Sequence, residues 1–321
     1  MNKNKIIKSA KDTFLKVILT TKRFKPSESI IIFSEPRGGS TWLMEILTML
    51  LPVCINWEPL HLDKGKLPNK EGFGFRPYIP AIETNPDYYH FFKKTHEFKI
   101  HSDWTRKYLT PTQIFNAELV LTKYVRANML VPYLLKNFNF KFKPIFLIRH
   151  PIDTCVSQIK AFKQSKNELH SKIFQHKDNK RFIEHTTFLN QLESDLEWYI
   201  AFWCLNNCTT LENLDTNKLC VVFYSDLIST PKKEVQRILK ETNLHKISGP
   251  LEKIDFRKPS STDFSKNLKK SPQLQLSKNI DSLDSNTKDK IQIIFDYFNF
   301  KLYSAYSPTP NLKSLTYRLI Q

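Results

Sequence analysis

A short glycine-containing turn has the residue types that bind an anion. Its members are Pro36, Arg37, Gly38, Gly39, Ser40, Thr41 and Trp42. The two glycines let the backbone approach an anion closely, the serine and threonine offer hydroxyl donors, and the arginine offers a charged fork. The turn therefore predicts a cradle for a phosphate or sulfate group.

The elements around this turn would aim it at a ligand. An apolar run at residues 29–34 predicts a strand before it, and apolar residues recur at helical spacing after it: Leu43, Ile46, Leu47 and Leu50. At such a junction the unpaired backbone N–H groups and the positive end of the helix dipole converge. Glycine and a serine cap also occur at turns without a ligand, so the turn alone leaves both interpretations open.

Four further apolar runs predict strands of the same sheet. They span residues 52–57, 118–122, 144–148 and 218–224, and they alternate with helical patterns at 128–138, after 153, at 187–211, after 231 and at 287–300. Nearly continuous apolar strands separated by helices indicate a parallel sheet covered on both faces. We predict a single α/β domain with a central, mostly parallel sheet of about five strands flanked by helices, similar to P-loop nucleotide-binding folds.

Four segments lie outside this rhythm. Residues 1–28 predict an amphipathic helix, whose apolar face either docks on the domain, which we favour, or lies on an anionic membrane; the face comprises Ile6, Ile7, Ala10, Phe14, Val17 and Ile18. Residues 62–117 are irregular and rich in proline and aromatic residues, which predicts an insertion that forms a substrate surface. Residues 163–186 are polar and lysine-rich and predict a lid, and residues 255–321 predict a closing segment with a final helix.

The charge balance favours an anionic partner. The 321 residues include 49 Lys and Arg against 31 Asp and Glu, giving a net charge of +18. Aromatic residues are scattered and no RRM, KH or zinc-finger pattern occurs, so nucleic acid is not the expected partner. The nucleotide triphosphatase pattern Gly-x-x-x-x-Gly-Lys-Ser/Thr is absent as well, so ATP hydrolysis is not favoured.

The compartment is predicted from cysteines and hydropathy. Five cysteines, an odd number, lie mostly in apolar segments, which indicates reduced, buried thiols and no metal site. No apolar stretch approaches the roughly 20 residues that span a bilayer, and lysines interrupt every apolar run near the N-terminus. These patterns predict a cytoplasmic protein whose only membrane contact would be peripheral, through the first helix.

Polar residues follow the predicted strands at the edge where open parallel sheets bind ligands. In chain order they are Arg37, Glu58, His61, Lys123, Arg149, Tyr224 and Ser225. Together they would place several cations, a carboxylate and an aromatic ring around one crevice.

Two segments resemble the sulfotransferases that use 3′-phosphoadenosine 5′-phosphosulfate (PAPS). Residues 36–43 resemble their 5′-phosphosulfate loop. Residues 147–157 resemble their 3′-phosphate segment, in which an arginine and a serine eight residues later contact the 3′-phosphate, here Arg149 and Ser157. Both spacings match in the expected order, and the pairing is far more specific than either motif alone.

Further similarity extends the resemblance over roughly residues 29–260. Residues 222–231 are similar to the family's Tyr-x-Asp-Leu segment and the helix after it. Residues 257–261 resemble a late basic segment that closes over the 3′-phosphate, although Pro259 replaces the family's glycine. The resemblance implies sulfuryl transfer from PAPS to an acceptor hydroxyl without a metal.

The resemblance also implies roles for individual residues. The 5′-phosphosulfate would be held by Arg37, Gly38, Gly39, Ser40 and Thr41, the adenine bordered by Trp42 and Tyr224, and the 3′-phosphate held by Arg149, Ser157, Arg257 and Lys258. Sulfuryl transfer spreads negative charge over the transferred group and the leaving oxygen, so positioning and positive charge matter most. Arg37 suits the leaving oxygen, and Lys123 is a second cation for the reaction centre.

Three residues are candidates for the general base that the acceptor hydroxyl needs. Glu58 is the first choice, because residues 57–60 resemble the Phe-Glu-Pro-Leu segment of carbohydrate sulfotransferases. His61 lies close to it in sequence. His96 ends a Lys-Thr-His tripeptide similar to that of the cytosolic small-molecule sulfotransferases, but Glu-Phe follows it instead of the usual Leu-Pro.

The acceptor is predicted from the same resemblance to be a carbohydrate. Aromatic residues of the insertion would either stack on sugar rings or form the core of the insertion: Phe73, Phe75, Tyr78, Tyr88 and Tyr89. The alternative function is a phosphate-cradling protein that binds a nucleotide or nucleic acid without transferase activity.

Overall fold

A computed structural model of the chain describes residues 13, 15, 17–69, 72–174, 180–262 and 271–316. Five strands form one sheet: β1 Ile30–Ser34, β2 Val53–Trp57, β3 Leu119–Tyr124, β4 Ile145–Ile148 and β5 Cys220–Phe223. Their order across the sheet is β2-β3-β1-β4-β5, and every neighbouring pair is parallel. The predicted α/β architecture with a central parallel sheet is confirmed.

The strands are buried on both faces, as their unbroken apolar runs predict. Successive side chains of a strand point to opposite faces, so β1 contributes to two separate cores. Ile31 and Phe33 pack in one cluster, and Ile30 and Ile32 pack in the other. Helices and loops therefore cover both sides of the sheet, and the polar positions are left at its ends.

The helices connect the strands and cover the sheet. In chain order they are α1 Ser40–Leu50, α2 Pro86–His96, α3 Pro111–Asn116, α4 Val131–Asn137, α5 Pro151–Phe162, α6 Lys166–Phe174, α7 Lys180–Ile183, α8 Thr186–Leu189, α9 Asp195–Glu212, α10 Tyr224–Ser229, α11 Pro231–Glu241, α12 Pro272–Asp281, α13 Ser285–Tyr297 and α14 Lys313–Thr316. Short 3-10 turns occur at Pro26–Glu28, Asn128–Leu130, Leu244–Lys246 and Leu251–Lys253. Several helices begin with proline at their first position, where its missing N–H costs nothing.

Several element boundaries differ from the sequence prediction, and three of the differences are the most informative. The single long helix predicted at 187–211 is wrong: α8 ends at Leu189, and α9 starts after Ser194, whose side chain accepts a hydrogen bond from the Glu197 N–H at 3.2 Å. Strand β3 runs two residues further than predicted, so Lys123 lies inside it. Tyr224 starts helix α10 instead of ending a strand.

The segments outside the strand and helix rhythm are partly anchored to the domain. Leu15 and Leu19 of the N-terminal segment are buried in the core, whereas Val17 is exposed. Four residues of its predicted apolar face lie outside the described residues: Ile6, Ile7, Ala10 and Phe14. In the predicted lid, Leu169 and Phe182 are buried, so its described parts are packed on the core. The insertion carries α2 and α3.

Candidate active site

The cradle between β1 and α1 has a backbone that requires glycine. Gly39, the residue before α1, has φ of 97°, in the left-handed region. A Cβ atom at this position would lie 2.5 Å from Cδ2 of Tyr224. Arg37 also has a positive φ, 67°, which is uncommon for a residue with a side chain. The turn thus holds a strained backbone next to a helix start, a combination typical of ligand sites.

The two segments predicted to bind the donor's phosphates meet in the structure. Arg37 Nε donates to Ser157 Oγ at 3.1 Å, and Arg149 Nη1 donates to the Arg37 carbonyl at 3.1 Å. The Arg149 guanidinium lies over the Tyr224 ring, 4.5 Å from its centroid. Arg149 Nε is buried and has no hydrogen-bond partner among the described residues. Two arginines, a hydroxyl and an aromatic ring therefore lie together, and one buried donor among them makes no hydrogen bond within the described residues.

His150 fixes the start of the helix that carries Ser157. Its Nδ1 accepts a hydrogen bond from the Ile152 N–H at 3.1 Å, and its Nε2 lies 3.1 Å from the Ser304 carbonyl, to which it donates. Burial lowers the pKa of His150 to about 4, so the ring is neutral. This capping histidine holds α5 beside the cradle.

The late basic segment covers the cradle with its backbone. The Thr262 carbonyl accepts a hydrogen bond from Arg37 Nη1 at 3.2 Å, and the Lys258 carbonyl accepts one from Trp42 Nε1 at 3.0 Å. The side chain of Arg257 is 94% exposed and pairs with Asp255. The structure therefore brings this segment to the site, but the Arg257 and Lys258 side chains face solvent.

Glu58 and Lys123 form an ion pair beside the cradle. Lys123 Nζ lies 2.7 Å from Glu58 Oε1, with side-chain exposures of 2% and 14%. The ammonium also lies 3.6 Å from the centroid of the Trp57 ring. Burial lowers the pKa of Lys123, and the Glu58 carboxylate opposes that shift. Glu58 has a φ of 41°, so it joins Arg37 and Gly39 as a third residue of the site with a positive φ.

The two candidate histidines differ in their access to the crevice. His61 is half-buried and packs edge-on against Trp104, with the ring centroids 4.9 Å apart. His96 is fully buried, its Nε2 lies 3.1 Å from the Tyr124 hydroxyl, and aromatic rings surround it, among them Phe138. Burial lowers the pKa of His96 to about 3. His96 is therefore a neutral core residue in this structure.

A buried polar cluster that the sequence analysis missed lies under the cradle. Glu35 follows β1 directly, and its carboxylate accepts hydrogen bonds from Arg76 at 2.9 Å and from Asn128 and Asn207 at 3.3 and 3.2 Å. Burial raises the pKa of Glu35, while the charge of Arg76 opposes the shift. Glu35 could have been found because it follows the end of a strand. It was missed because the glycine turn at residues 36–42 comes immediately after it.

A partly buried cation close to Glu58 and Glu35 was missed as well. Arg126 follows β3 by two residues, and burial lowers its pKa to about 10, with Glu58 and Glu35 acting in the opposite direction. Arg126 Nη1 is buried without a hydrogen-bond partner in the described part of the chain. Arg126 escaped notice because the sequence prediction ends β3 at residue 122, whereas the strand ends at Tyr124, two residues before the arginine.

The order of strands separates the site into two sides. The cradle after β1 and the groups after β4 and β5 lie together, and Lys123 and Glu58 lie toward the β2 edge. Neighbouring strands are about 4.8 Å apart, so the end of β2 lies about 10 Å from the cradle. A ligand bound at the cradle and a second molecule at Glu58 would meet above β3, where Lys123 lies.

An α/β fold with a central parallel sheet and a glycine turn between β1 and α1 defines the general class of protein, and sequence comparison gives the family. Residues 27–292 match the family model described as "Sulfotransferase domain". Because this match covers well over half of the sequence, the chain belongs to the sulfotransferase domain family. The family's reaction is the transfer of a sulfuryl group, generally from PAPS.

Two solved structures are similar to the chain over most of its length. The "Sulfotransferase Domain from the Curacin Biosynthetic Pathway" matches with 17% identity and a TM-score of 0.44, covering 88% of this chain and 100% of that one. The "Sulfotransferase Domain from the Synechococcus PCC 7002 Olefin Synthase" matches with 15% identity and a TM-score of 0.40, covering 88% and 98%. Comparison with curated proteins finds no significant match.

The described residues contain no group of three or more His, Cys, Asp or Glu side chains that could hold a metal ion. Among the same residues, no helix combines the length and the apolar character needed to cross a membrane.

Proposed function

We propose that this protein transfers the sulfuryl group of PAPS to a hydroxyl group of a carbohydrate or glycoconjugate. The observation that carries the proposal is the junction of Arg37, Ser157 and Arg149, because it brings together two distant segments that each supply an arginine or a hydroxyl suited to an anion. PAPS has two anionic ends, the 5′-phosphosulfate and the 3′-phosphate, and the junction offers one side to each. A single-phosphate ligand would use only half of these donors.

On this proposal the 5′-phosphosulfate lies at the start of α1 and the 3′-phosphate lies at Arg149 and Ser157. The N–H groups of the cradle and the helix dipole attract the sulfated end. The unpartnered Nε of Arg149 supplies one donor to the 3′-phosphate. The Tyr224 ring under Arg149 and the Trp42 ring at the other side of the cradle border the adenine.

Glu58 is the proposed general base for the acceptor hydroxyl. It takes the hydroxyl proton as the acceptor oxygen forms its bond to sulfur and the bond from sulfur to the bridging phosphate oxygen breaks. Lys123 holds the Glu58 carboxylate in place, and Arg37 stabilises the charge on the leaving oxygen. Glu58 is preferred over His96 because His96 is enclosed by core aromatic rings.

The carbohydrate acceptor rests on the resemblance around Glu58 and on aromatic rings close to it. Trp57 has Tyr108 4.3 Å and Trp104 6.4 Å away between ring centroids, so three rings lie beside the proposed base. Phe73 and Tyr88, two of the insertion's aromatic residues that the sequence offers for sugar stacking, are buried in the core. The rings of the 104–108 segment are the better candidates.

Calorimetric titration with 3′,5′-adenosine bisphosphate (PAP) and with AMP tests the donor site. PAP should bind at least tenfold more tightly than AMP, since the 3′-phosphate adds about 1.5 kcal/mol or more through charged hydrogen bonds. Arg149→Gln should remove most of that difference and leave AMP binding nearly unchanged. Equal affinity for PAP and AMP in the wild type would contradict the proposal and favour a general phosphate-binding protein.

A further inference from the structure

An open cavity of about 740 Å³ lies in the insertion, beyond the β2 edge of the sheet. Its lining is basic: Lys64, Lys66, His101, Ser102, Asp103, Trp104, Arg106 and Lys107. Four lysine and arginine residues face one carboxylate, and that carboxylate, Asp103, pairs with Arg106 at 2.6 Å. Because Asp103 and Arg106 neutralise each other, the three lysines leave the cavity with a net positive charge.

The cavity adjoins the proposed reaction centre through Trp57. The Lys107 ammonium lies 5.9 Å from the centroid of the Trp57 ring, and the Lys123 ammonium lies 3.6 Å from it. The two ammonium groups can therefore be no further apart than the sum of these distances. Since Lys123 contacts Glu58, a molecule of two or three sugar units could reach from the cavity to the proposed base.

Backbone contacts build the cavity onto the segment that carries Glu58. The Trp57 N–H donates to the Thr105 carbonyl at 2.9 Å, and Ser102 Oγ donates to the Lys64 carbonyl at 2.6 Å. Gly65 is packed so tightly that a Cβ atom would lie 2.3 Å from the Pro59 carbonyl oxygen. The two walls are therefore fixed to each other and to the end of β2.

Several buried polar atoms without partners lie in the same part of the molecule, and Trp57 and His61 pack against Trp104 of the cavity wall. Within the described residues, Nε1 of Trp57, Nε1 of Trp104, Nδ1 of His61 and Nη1 of Arg126 are buried and make no hydrogen bond. Burial lowers the pKa of His61, and the charges of Arg126 and Lys64 lower it further. The cationic field of the basic lining favours a negatively charged ligand.

We propose that this cavity is the acceptor subsite and that the acceptor is an acidic saccharide, with its anionic group held by Lys64, Lys66 and Lys107. The inference rests on the proposed function and names the substrate class of the same site. A volume of about 740 Å³ is that of a small-molecule site, which typically holds about 300–1,000 Å³. The rings of Trp104 and Tyr108 supply faces for sugar stacking, and the Lys107 ammonium lies 5.5 and 5.3 Å from their centroids.

The probe is an unsulfated tetrasaccharide of alternating N-acetylglucosamine and glucuronic acid. Its carboxyl-reduced form is the neutral control with the same ring pattern. Calorimetry at low and at moderate salt should show binding of the acidic form at least tenfold tighter than the neutral form, with the difference shrinking as salt screens the charges. In Lys64→Gln/Lys107→Gln, binding of the acidic probe should weaken about tenfold, since each exposed charge contributes about 0.7 kcal/mol.

Matched variants separate this subsite from general attraction by a basic protein. Lys233→Gln/Lys253→Gln removes two exposed lysines from the α11 region and should leave probe binding within about twofold. Equal weakening in both double variants, or equal binding of the acidic and neutral probes, would overturn the acidic acceptor. PAP affinity is measured in every variant and tests the donor site of the proposed function separately. If the acidic acceptor is refuted while PAP still binds tightly, the proposed function stands.

Discussion

Replacing Glu58 with glutamine removes one negative charge from the site and keeps the shape of the side chain. Glu58 Oε1 accepts from Lys123 Nζ at 2.7 Å, and the lysine side chain is only 2% exposed. Breaking a fully buried ion pair costs about 3–5 kcal/mol because it leaves an uncompensated charge. Two features reduce this cost: Glu58 is partly exposed, and the Trp57 ring stabilises the ammonium by up to about 2 kcal/mol. We expect the free energy of unfolding to fall by about 2 kcal/mol.

The same variant should lose much more activity than stability. A general base contributes about 10²- to 10⁴-fold to the rate, so kcat should fall by that factor at saturating PAPS and acceptor. PAP affinity should stay within about twofold, because the donor contacts at Arg37, Ser157 and Arg149 do not involve Glu58. The expected signature is thus a large kcat effect with an intact donor site.

The assay follows labelled sulfuryl transfer from PAPS to a mixture of oligosaccharides, with urea unfolding and PAP calorimetry on the same preparations. Glu97→Gln is the matched control, since Glu97 pairs at 2.7 Å with Lys99, which is 63% exposed. This control should change stability by less than about 1 kcal/mol and leave turnover unchanged. A folded Glu58→Gln protein with turnover within threefold of wild type would refute the role of Glu58 as the base.

Two further predictions concern the cradle and the core. Gly39→Ala should weaken PAP binding about tenfold or more, because φ of Gly39 is 97° and the added Cβ would lie 2.5 Å from the Tyr224 ring. Gly249→Ala is the control, since the atom nearest to its added Cβ is 3.6 Å away, and it should leave PAP binding unchanged in the same calorimetry. His96 has a pKa of about 3 in the folded protein and an ordinary value of 6.5 in the unfolded chain, so the unfolded chain takes up the proton first as pH falls. The stability that is present above pH 6.5 is therefore lost between pH 6.5 and 3, by about 1.4 kcal/mol per pH unit. His96→Phe should remove this contribution in urea unfolding at several pH values, and identical pH slopes in the variant and the wild type would contradict the burial of a neutral histidine.

Local sequence patterns were sufficient for the strands and the cradle. The apolar runs located all five strands to within about two residues, because a strand buried on both faces has few polar positions to confuse the pattern. The glycine and hydroxyl residues from 36 to 42 predicted the turn between β1 and α1, because a strand-to-helix turn is built from consecutive residues. The break before α9 was missed, since a single serine cap within an apolar stretch has a weak signal.

Partners distant in the sequence could not be assigned in this way. The pairing of Glu58 with Lys123 and the collection of Glu35, Arg76 and Asn207 depend on contacts between residues far apart in the chain. The left-handed backbone of Glu58 is likewise imposed by its surroundings, since nothing in its residue type favours it. The basic cavity arises from two turns of the insertion that no periodic pattern relates.

The sequence by itself determined the class of sheet, the glycine turn after β1 and the segments that resemble a donor site, because each is a local property of a short run. Tertiary structure decided the layout of the reaction centre. Chain order makes β2 the strand after β1, but β3 lies between them in the sheet. Lys123 therefore stands between the cradle and Glu58, and its charge is placed there by the order of strands, which only long-range packing can fix.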